Sequence, residues 1–218
     1  MSYSCLEELQ VDLDLHNLDK TSILSKIGSK YNDGWLIITD DGHCHLFDKD
    51  GNLDDIKKIK QLEVKHIRKN ITKIIIPDSI TSIGSSAFSW CSLLTSVTIP
   101  ASVKNIGIDA FAGCTGLTNI NISNGVMSIE DCAFYSCSGL TNVTIPDSVT
   151  SIKSSAFYNC SGLTSMMIPN SVTSIGWYAF YHCNSLVNLT FEDKTIEQVR
   201  KMKNYPWEIK DVSVIKVK

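Results

Sequence analysis

The sequence predicts a repeat solenoid, mainly β with short helical or 3₁₀ turns, with a small α+β cap domain before it and a helix-strand cap after it. Three observations predict this fold. A motif of 23 residues recurs without insertions from Ile71 onward, its apolar positions fit neither a helix nor a simple strand, and charged residues gather in the two non-repeating ends. One such coil cannot bury its apolar face alone, so neighbouring coils are expected to stack around a continuous core.

The repeated unit follows the pattern L-x-x-V-x-I-P-x-x-V-x-x-I-x-x-x-A-F-x-x-C. Its five copies read ITKIIIPDSITSIGSSAFSWCSL, LTSVTIPASVKNIGIDAFAGCTG, LTNINISNGVMSIEDCAFYSCSG, LTNVTIPDSVTSIKSSAFYNCSG and LTSMMIPNSVTSIGWYAFYHCNS, and a partial sixth begins at Leu186 with LVNLTF. In the fourth copy Val143 and Ile145 predict a short strand that Pro146 ends, because proline cannot donate to a strand ladder. The segment SVTSI predicts a second extended piece, and SSAFYNC predicts a compact helical or 3₁₀ turn.

The segment L-x-x-V-x-I has the form of a leucine-rich repeat strand, and the whole unit resembles the BspA-like leucine-rich repeat family. The resemblance covers residues 71 to about 191. It implies a binding protein, since members are often cell-surface adhesins or interaction proteins of microbes and their parasites. The first twenty residues lack the basic start and apolar run of a secretory signal. We therefore expect a cytoplasmic protein, with a cell-surface or secreted location as the alternative.

Both non-repeating ends are predicted to cap the solenoid. The predicted divisions are a capping domain over 1–70, the solenoid over 71–191 and a C-terminal cap over 192–218. Residues 21–27 have the pattern of a short amphipathic helix, and GWLIITDDGHCHLF alternates around Asp41-Gly42 as a hairpin does. Near the other end, Thr195 and Gln198 fit a capping box that opens the helix TIEQVRKMK, and VSVIKV is predicted to close the sheet as a last strand.

Five cysteines lie one period apart, at Cys91, Cys114, Cys137, Cys160 and Cys183. Side chains in such a row are parallel, whereas zinc needs four converging ligands and a disulfide needs differently oriented Cβ bonds. We predict buried, reduced, structural thiols that act as small apolar fillers. Cys132 lies outside this row and is predicted to be the more accessible thiol of the repeats.

The sequence predicts no catalytic, cofactor or metal site. His43-Cys44-His45, with His16 or His66 as a further ligand, invites a metal interpretation, but a polar hairpin face is favoured over it. An enzyme housed in residues 1–70 would have only His43 and His45 as candidate groups. No glycine-rich phosphate loop occurs, and no nucleophile lies at a suitable spacing from a base. The expected function is therefore non-enzymatic.

The candidate binding surface lies where the repeats differ. The outward positions of the first strand are small and polar, whereas the position after the repeated phenylalanine becomes tyrosine in three consecutive copies. Tyrosine and tryptophan favour interfaces because a rigid ring buries much area at low entropic cost. The candidate residues are Tyr135, Tyr158, Tyr181, Trp177, Tyr178, His182 and Trp90.

The expected partner is another protein, which the chain would bind, inhibit or recruit inside a cell. The net charge of −3 and the isoelectric point near 5.9 give no basic footprint, so nucleic acid is a poor candidate partner. The alternative is a cell-surface adhesin that binds a host protein or glycan.

Overall fold

The computed structural model describes residues 74–76 and 81–218, together with four short strands of the N-terminal region at 23–26, 35–38, 44–47 and 53–54. The repeats form the coils of a solenoid, and we number them coils 1 to 5 (residues 71–93, 94–116, 117–139, 140–162 and 163–185). Coils 2 to 5 each have three sides: a longer strand, a two-residue strand and a turn segment. In coil 1 the described part of the first strand is Ile74–Ile75, which pairs with the N-terminal strand Ile23–Lys26. The predicted solenoid of mainly β structure is confirmed.

The longer strands form a six-stranded sheet in which all neighbours are parallel. The strands are Ser96–Ile99, Asn119–Ile122, Asn142–Thr144, Ser165–Ile168, Asn188–Phe191 and Ile215–Val217. Residues one period apart pair with each other, as Val97 does with Ile120. Because side chains alternate along a strand, every second residue points into the core, and Val97 and Ile99 are buried.

The two-residue strands form a second parallel sheet of five strands. These strands are Ser82–Ile83, Asn105–Ile106, Ser128–Ile129, Ser151–Ile152 and Ser174–Ile175. The isoleucine of each strand is buried. The segment that the sequence predicted to be extended is therefore a strand in every described coil.

The third side consists of turn segments at 85–90, 108–113, 131–136, 154–159 and 177–182. They contain the hydrogen bonds of a 3₁₀ turn, from an N–H to the carbonyl three residues earlier, such as Cys160 N to Phe157 O at 3.2 Å. No continuous helix forms there, because two residues of every segment have a left-handed backbone with φ of 55° to 73°. Those residues are Ser86, Trp90, Asp109, Gly113, Cys132, Ser136, Ser155, Asn159, Tyr178 and His182.

A ladder of stacked phenylalanines fills the core behind the turn segments. The rings of Phe88, Phe111, Phe134, Phe157 and Phe180 lie with neighbouring centroids 5.1 to 5.9 Å apart. All five side chains are at most 2% exposed. One ring per coil thus links each coil to the next through the interior.

The row of cysteines is buried, as the sequence predicts, and none of its thiols forms a disulfide. The thiols do more than fill space. Cys114, Cys137, Cys160 and Cys183 each donate a hydrogen bond of 3.1 Å to the carbonyl of the repeated phenylalanine in the preceding coil. A weak donor of apolar character suits this position because it satisfies a buried carbonyl without adding a strongly hydrated group.

The C-terminal segment packs against part of the end of the core. Its helix, Ile196–Arg200, begins with the predicted capping box: Thr195 Oγ1 accepts from Gln198 N, and Gln198 Oε1 accepts from Thr195 N. The helix ends three residues earlier than the predicted TIEQVRKMK helix, and turns follow it. Trp207 is fully buried and stacks on Phe191, with centroids 5.6 Å apart. The last strand is confirmed over Ile215–Val217, after a 3₁₀ turn at Val212–Val214.

The N-terminal strands form an antiparallel sheet, and one prediction for this region is wrong. Within the stretch 21–27, where a helix was predicted, Ile23–Lys26 is a strand that pairs with Trp35–Ile38 on one side and Ile74–Ile75 on the other. A helix of two turns is marginal by itself, so sheet pairing overrides the helical pattern. The predicted hairpin is present, because Trp35–Ile38 pairs with Cys44–Phe47, which in turn pairs with Leu53–Asp54.

Candidate functional site

The aromatic residues predicted to bind a partner come together on the turn segments of coils 3 to 5. Six of the seven form one connected group, which we call the aromatic cluster: Tyr135, Tyr158, Tyr181, His182, Tyr178 and Trp177. Trp177 is 52% exposed and Tyr178 is 47% exposed, while the three stripe tyrosines are half-buried. The cluster is therefore anchored on the scaffold and open to solvent.

The geometry of the cluster follows from the period of the solenoid. Tyr135 and Tyr158 occupy the same position in consecutive coils, and their rings stack at 4.8 Å with an interplanar angle of 9°. Tyr181 continues the row at 5.4 Å but is tilted by 49°. Since stacked rings cover each other's faces, the row presents ring edges and hydroxyl groups to solvent.

Coil 5 turns this row into a broader surface. His182 lies 4.0 Å from Tyr181 and meets Tyr158 edge-on at 5.7 Å. Tyr178 packs edge-on against Tyr181 at 5.6 Å, and Trp177 lies beside it at 6.4 Å. The last coil thus adds two exposed rings and an imidazole to a row that is otherwise one ring wide.

Two residues of the cluster have an unusual backbone conformation. Tyr178 and His182 have φ of 57° and 60°, in the left-handed region that tyrosine rarely adopts and histidine adopts more readily. Coil 4 has Ser155 and Asn159 at the equivalent positions, and asparagine tolerates this conformation better. Every turn segment is left-handed at these two positions, but coil 5 places a bulky tyrosine at the first of them where coil 4 has serine. Residues held in such conformations cluster at functional sites.

The hydroxyl group of Tyr158, at the centre of the cluster, remains protonated. Partial desolvation, followed by the neighbouring hydroxyls of Tyr135, Tyr181 and Tyr178, raises the pKa of Tyr158 above its ordinary value. A protonated phenol can both donate and accept a hydrogen bond. The stripe can therefore offer its polar edge to main-chain or side-chain groups of a partner.

Trp90 does not join this group among the residues that the structure describes. Its ring packs over Gly113 in coil 2, where an added Cβ would lie only 2.5 Å from Trp90 Cε3. Trp90 is still 54% exposed. The sequence placed it one position after the stripe, and the structure assigns it a contact of its own nearer the other end of the solenoid.

The outer face of the six-stranded sheet offers few anchors for a partner. Several of its polar groups bond to one another along the period, as when Ser165 Oγ donates to Asn142 Oδ1 at 2.5 Å and Thr164 Oγ1 donates to Thr141 O at 3.1 Å. Lys216 Nζ likewise donates to Asn188 Oδ1. Among the described outward positions, Met167 is the exposed large apolar side chain of this sheet's central strands, at 42%.

The candidate metal ligands and the Cys132 thiol are the other candidate chemical groups of the sequence. Within 74–76 and 81–218, no group of three or more histidine, cysteine, aspartate or glutamate side chains is placed to hold a metal ion. The side chains of His16, His43, His45 and His66 lie outside the described residues. Cys132 is half-buried, more accessible than the row of cysteines, as predicted. Its pKa is raised by burial and then by the carboxylates of Asp109 and Asp131, which disfavours a reactive thiolate.

The sequence did not predict a cavity at the C-terminal end of the solenoid. The cavity measures about 590 Å³ and lies between coil 5 and the last segment of the chain. Its lining includes Phe180, His182, Leu186, Ile209, Lys210 and Ser213. One signal for it was available, because the partial sixth repeat, LVNLTF, stops before the A-F-x-x-C turn that would cover this side of coil 5.

Solved structures with the same architecture come from several bacteria. A leucine-rich cell surface protein of Faecalibacterium prausnitzii has a TM-score of 0.57 and 33% identity over 59% of this chain and 34% of its own. A leucine-rich repeat protein of T. pallidum has a TM-score of 0.52 and 29% identity over 63% of this chain and 62% of its own. A leucine-rich repeat protein of Bacteroides ovatus has a TM-score of 0.52 and 27% identity over 66% of this chain and 41% of its own. The chain thus spans less than two thirds of the length of each.

A search of curated proteins finds no match. No helix among the described residues is long and apolar enough to cross a membrane. A family model for the BspA-type leucine-rich repeat region matches residues 57–187 in six copies, and so begins within the predicted N-terminal cap. That match covers more than half of the sequence and agrees with the observed period of the coils. The chain belongs to the BspA-type leucine-rich repeat family.

Proposed function

We propose that this protein is a non-enzymatic binding module that holds another protein through the aromatic cluster of coils 3 to 5. The observation that carries the proposal is the concentration of aromatic residues in coil 5, two of them in left-handed conformations. The equivalent positions of coil 4 are serine and asparagine. Because coil 4 adopts the same left-handed backbone with serine and asparagine at these positions, folding alone does not require aromatic side chains there.

The cluster has the chemical character of an interface hot spot. Rigid rings surrounded by half-buried neighbours lose little entropy when a partner covers them. Tyr158 contributes a hydroxyl group that remains protonated and can both donate a hydrogen bond to the partner and accept one from it. Because Tyr135 and Tyr158 cover each other's faces, little flat ring surface is left there for a sugar to stack on, which favours a protein over a glycan.

The test compares two double variants of the full chain as baits for affinity capture from the native source. Tyr158→Ala with Tyr181→Ala removes the centre of the cluster, whereas Thr98→Ala with Thr144→Ala alters the exposed sheet face. Quantitative mass spectrometry should find a protein that the wild type and the threonine variant capture and the tyrosine variant loses. Capture that is equal for all three baits, with unchanged thermal midpoints, would overturn the proposal.

A second candidate is a cell-surface adhesin that binds a host protein or glycan. The observation that favours it over an intracellular binder is the similarity to a Faecalibacterium prausnitzii protein described as a cell surface protein. Protease treatment of intact cells separates the two settings, because digestion without lysis requires exposure at the surface. Thiol labelling of the native protein is a poorer test, since the row of cysteines is buried and its thiols are protected in either compartment.

A further inference from the structure

The turn side of the solenoid has a directional pattern of hydrogen bonds. In each of coils 1 to 4, three backbone N–H groups at alternate residues donate to three carbonyls of the next coil, at 2.6 to 3.1 Å. Coil 4 is representative: Ser155 N donates to Trp177 O, Phe157 N to Ala179 O and Asn159 N to Tyr181 O. Each coil thus offers donors toward the C-terminal end and acceptors toward the N-terminal end.

Coil 5 has the same three donors but no following turn segment. The N–H groups of Tyr178, Phe180 and His182 have no acceptor within the described part of the chain. The Phe180 carbonyl accepts from Cys183 N, but it lacks the thiol donor that the equivalent carbonyls of the other described coils receive from the next coil. The turn side therefore ends in an open edge whose chemistry the preceding coils define.

The other two sides of coil 5 are covered. The strand Ile215–Val217 pairs with Asn188–Phe191 and completes the longer sheet. On the short-strand side, Asn204 Nδ2 donates to Ile175 O at 3.2 Å. The cavity of about 590 Å³ lies at the remaining side, with Phe180, Leu186, Ile209 and Val214 among its apolar lining residues and Lys210 and Asp211 among its charged ones.

We propose that this open edge and its cavity, which we call the end groove, bind a main-chain segment of a protein partner that presents carbonyl groups at alternate residues. In each of coils 1 to 4 the same three donors bind a main-chain segment of the next coil through carbonyls at alternate residues, so the donors of coil 5 suit a segment of the same kind. Main-chain hydrogen bonds supply affinity in this mode, and the apolar lining selects a small or apolar side chain at the centre. His182 belongs both to the end groove and to the aromatic cluster, so one partner can cover both.

A second copy of the chain does not fit the end groove through the same edge. Two such edges facing each other would place donors against donors, which leaves all six N–H groups unpaired. The occupant must bring acceptors. This inference rests on the proposed function as a protein binder, and it adds the chemical nature of the segment that is bound.

The test uses the full chain labelled with ¹⁵N and a synthetic peptide with the sequence of residues 151–162, SIKSSAFYNCSG, acetylated, amidated and kept reduced. This peptide carries the carbonyls that coil 3 engages in the protein itself. At millimolar peptide, the amide signals of Tyr178, Phe180 and His182 should shift, and their hydrogen exchange should slow by about tenfold or more. A scrambled peptide of the same composition should leave these amides unchanged.

Two variants guard against an indirect effect. Ser213→Trp places a bulky side chain in the end groove from an exposed position and should weaken peptide binding by about tenfold. Ser96→Trp, on the sheet face of coil 2, should bind as the wild type does. To raise the local concentration, the same peptide can be joined to Lys218 by a flexible Gly-Ser linker, with the linker alone as control.

The outcomes separate the inference from the proposed function. If neither the free nor the tethered peptide protects the three amides, or if protein concentration alone protects them, the end-groove inference is overturned. The latter result would assign the groove to a second copy. Loss of partner binding by the Tyr158→Ala, Tyr181→Ala variant would still support the proposed function in either case, because that variant leaves the three donors in place.

Discussion

Removing one ring from the phenylalanine ladder tests how the core links the coils. Phe134 is fully buried and stacked on both sides, against Phe111 at 5.5 Å and Phe157 at 5.3 Å. Phe134→Ala loses the transfer free energy of the ring and leaves a cavity, which together cost about 3–5 kcal/mol. Each aromatic contact contributes about 0.5–1.5 kcal/mol of that stability beyond area burial.

Phe180 provides the matched comparison, because among the described residues its ring stacks on Phe157 alone, at 5.9 Å, and it lines the cavity at the end of the solenoid. Phe180→Ala should therefore cost less than Phe134→Ala by about one aromatic contact, 0.5–1.5 kcal/mol. Urea unfolding followed by circular dichroism gives both free energies. Equal costs at the two positions, or a Phe134→Ala cost below about 1 kcal/mol, would refute the claim that stacking through the interior joins the coils.

Three further predictions concern the thiols and the strained backbone. Burial raises the pKa of Cys183 to about 12, and burial followed by the adjacent thiol of Cys183 raises the pKa of Cys160 well above its ordinary value. The unfolded chain therefore loses these protons first, so stability is complete below about pH 9 and falls toward pH 12 by about 1.4 kcal/mol per pH unit per thiol. Melting curves should show a shallower decline for Cys160→Ala, and a slope that the substitution leaves unchanged would contradict this. Of the six thiols with described side chains, Cys132 alone should react with a thiol reagent in the native state, because the other five are buried, and its raised pKa should make that reaction slow. Mass spectrometry of labelled peptides can verify this, and labelling of the five buried thiols at a similar rate would contradict their burial. Tyr178→Asn relieves left-handed strain but loses two ring contacts, so the two effects on stability oppose each other. The free energy of unfolding of this variant should stay within about 1 kcal/mol of wild type while its partner binding weakens. A loss of stability above about 3 kcal/mol would assign Tyr178 a structural role.

Much of the fold could be predicted because the sequence contains five full copies of the 23-residue repeat. Apolar residues at fixed positions of the repeat must face one interior, so the strands, the buried cysteines and the continuous core follow from alignment of the copies. The helix predicted over 21–27 was wrong because a short pattern is ambiguous until its pairing partners are known. The hydrogen bonds from thiol to carbonyl could not be predicted, since they depend on the offset between coils.

The aromatic cluster could be predicted in part for the same reason. The period places Tyr135, Tyr158 and Tyr181 in one row, and the structure shows the stacking that this implies. The left-handed conformations of Tyr178 and His182 could not be predicted from the sequence, because the equivalent residues of the other coils, which include Trp90 and Cys132, share no backbone preference. The end groove was missed because it arises where the repeat stops, and only the missing A-F-x-x-C turn after LVNLTF signalled it.

The most direct test of the binding account is the affinity of the captured partner for two double variants, measured with purified proteins. Truncating two central tyrosines of an interface costs about 1–2 kcal/mol each, so Tyr158→Ala with Tyr181→Ala should raise the Kd by about 30-fold or more. Thr98→Ala with Thr144→Ala, on the sheet face, should leave the Kd within about twofold. The opposite order, with the threonine variant impaired and the tyrosine variant unaffected, would contradict the account and place the binding surface on the sheet.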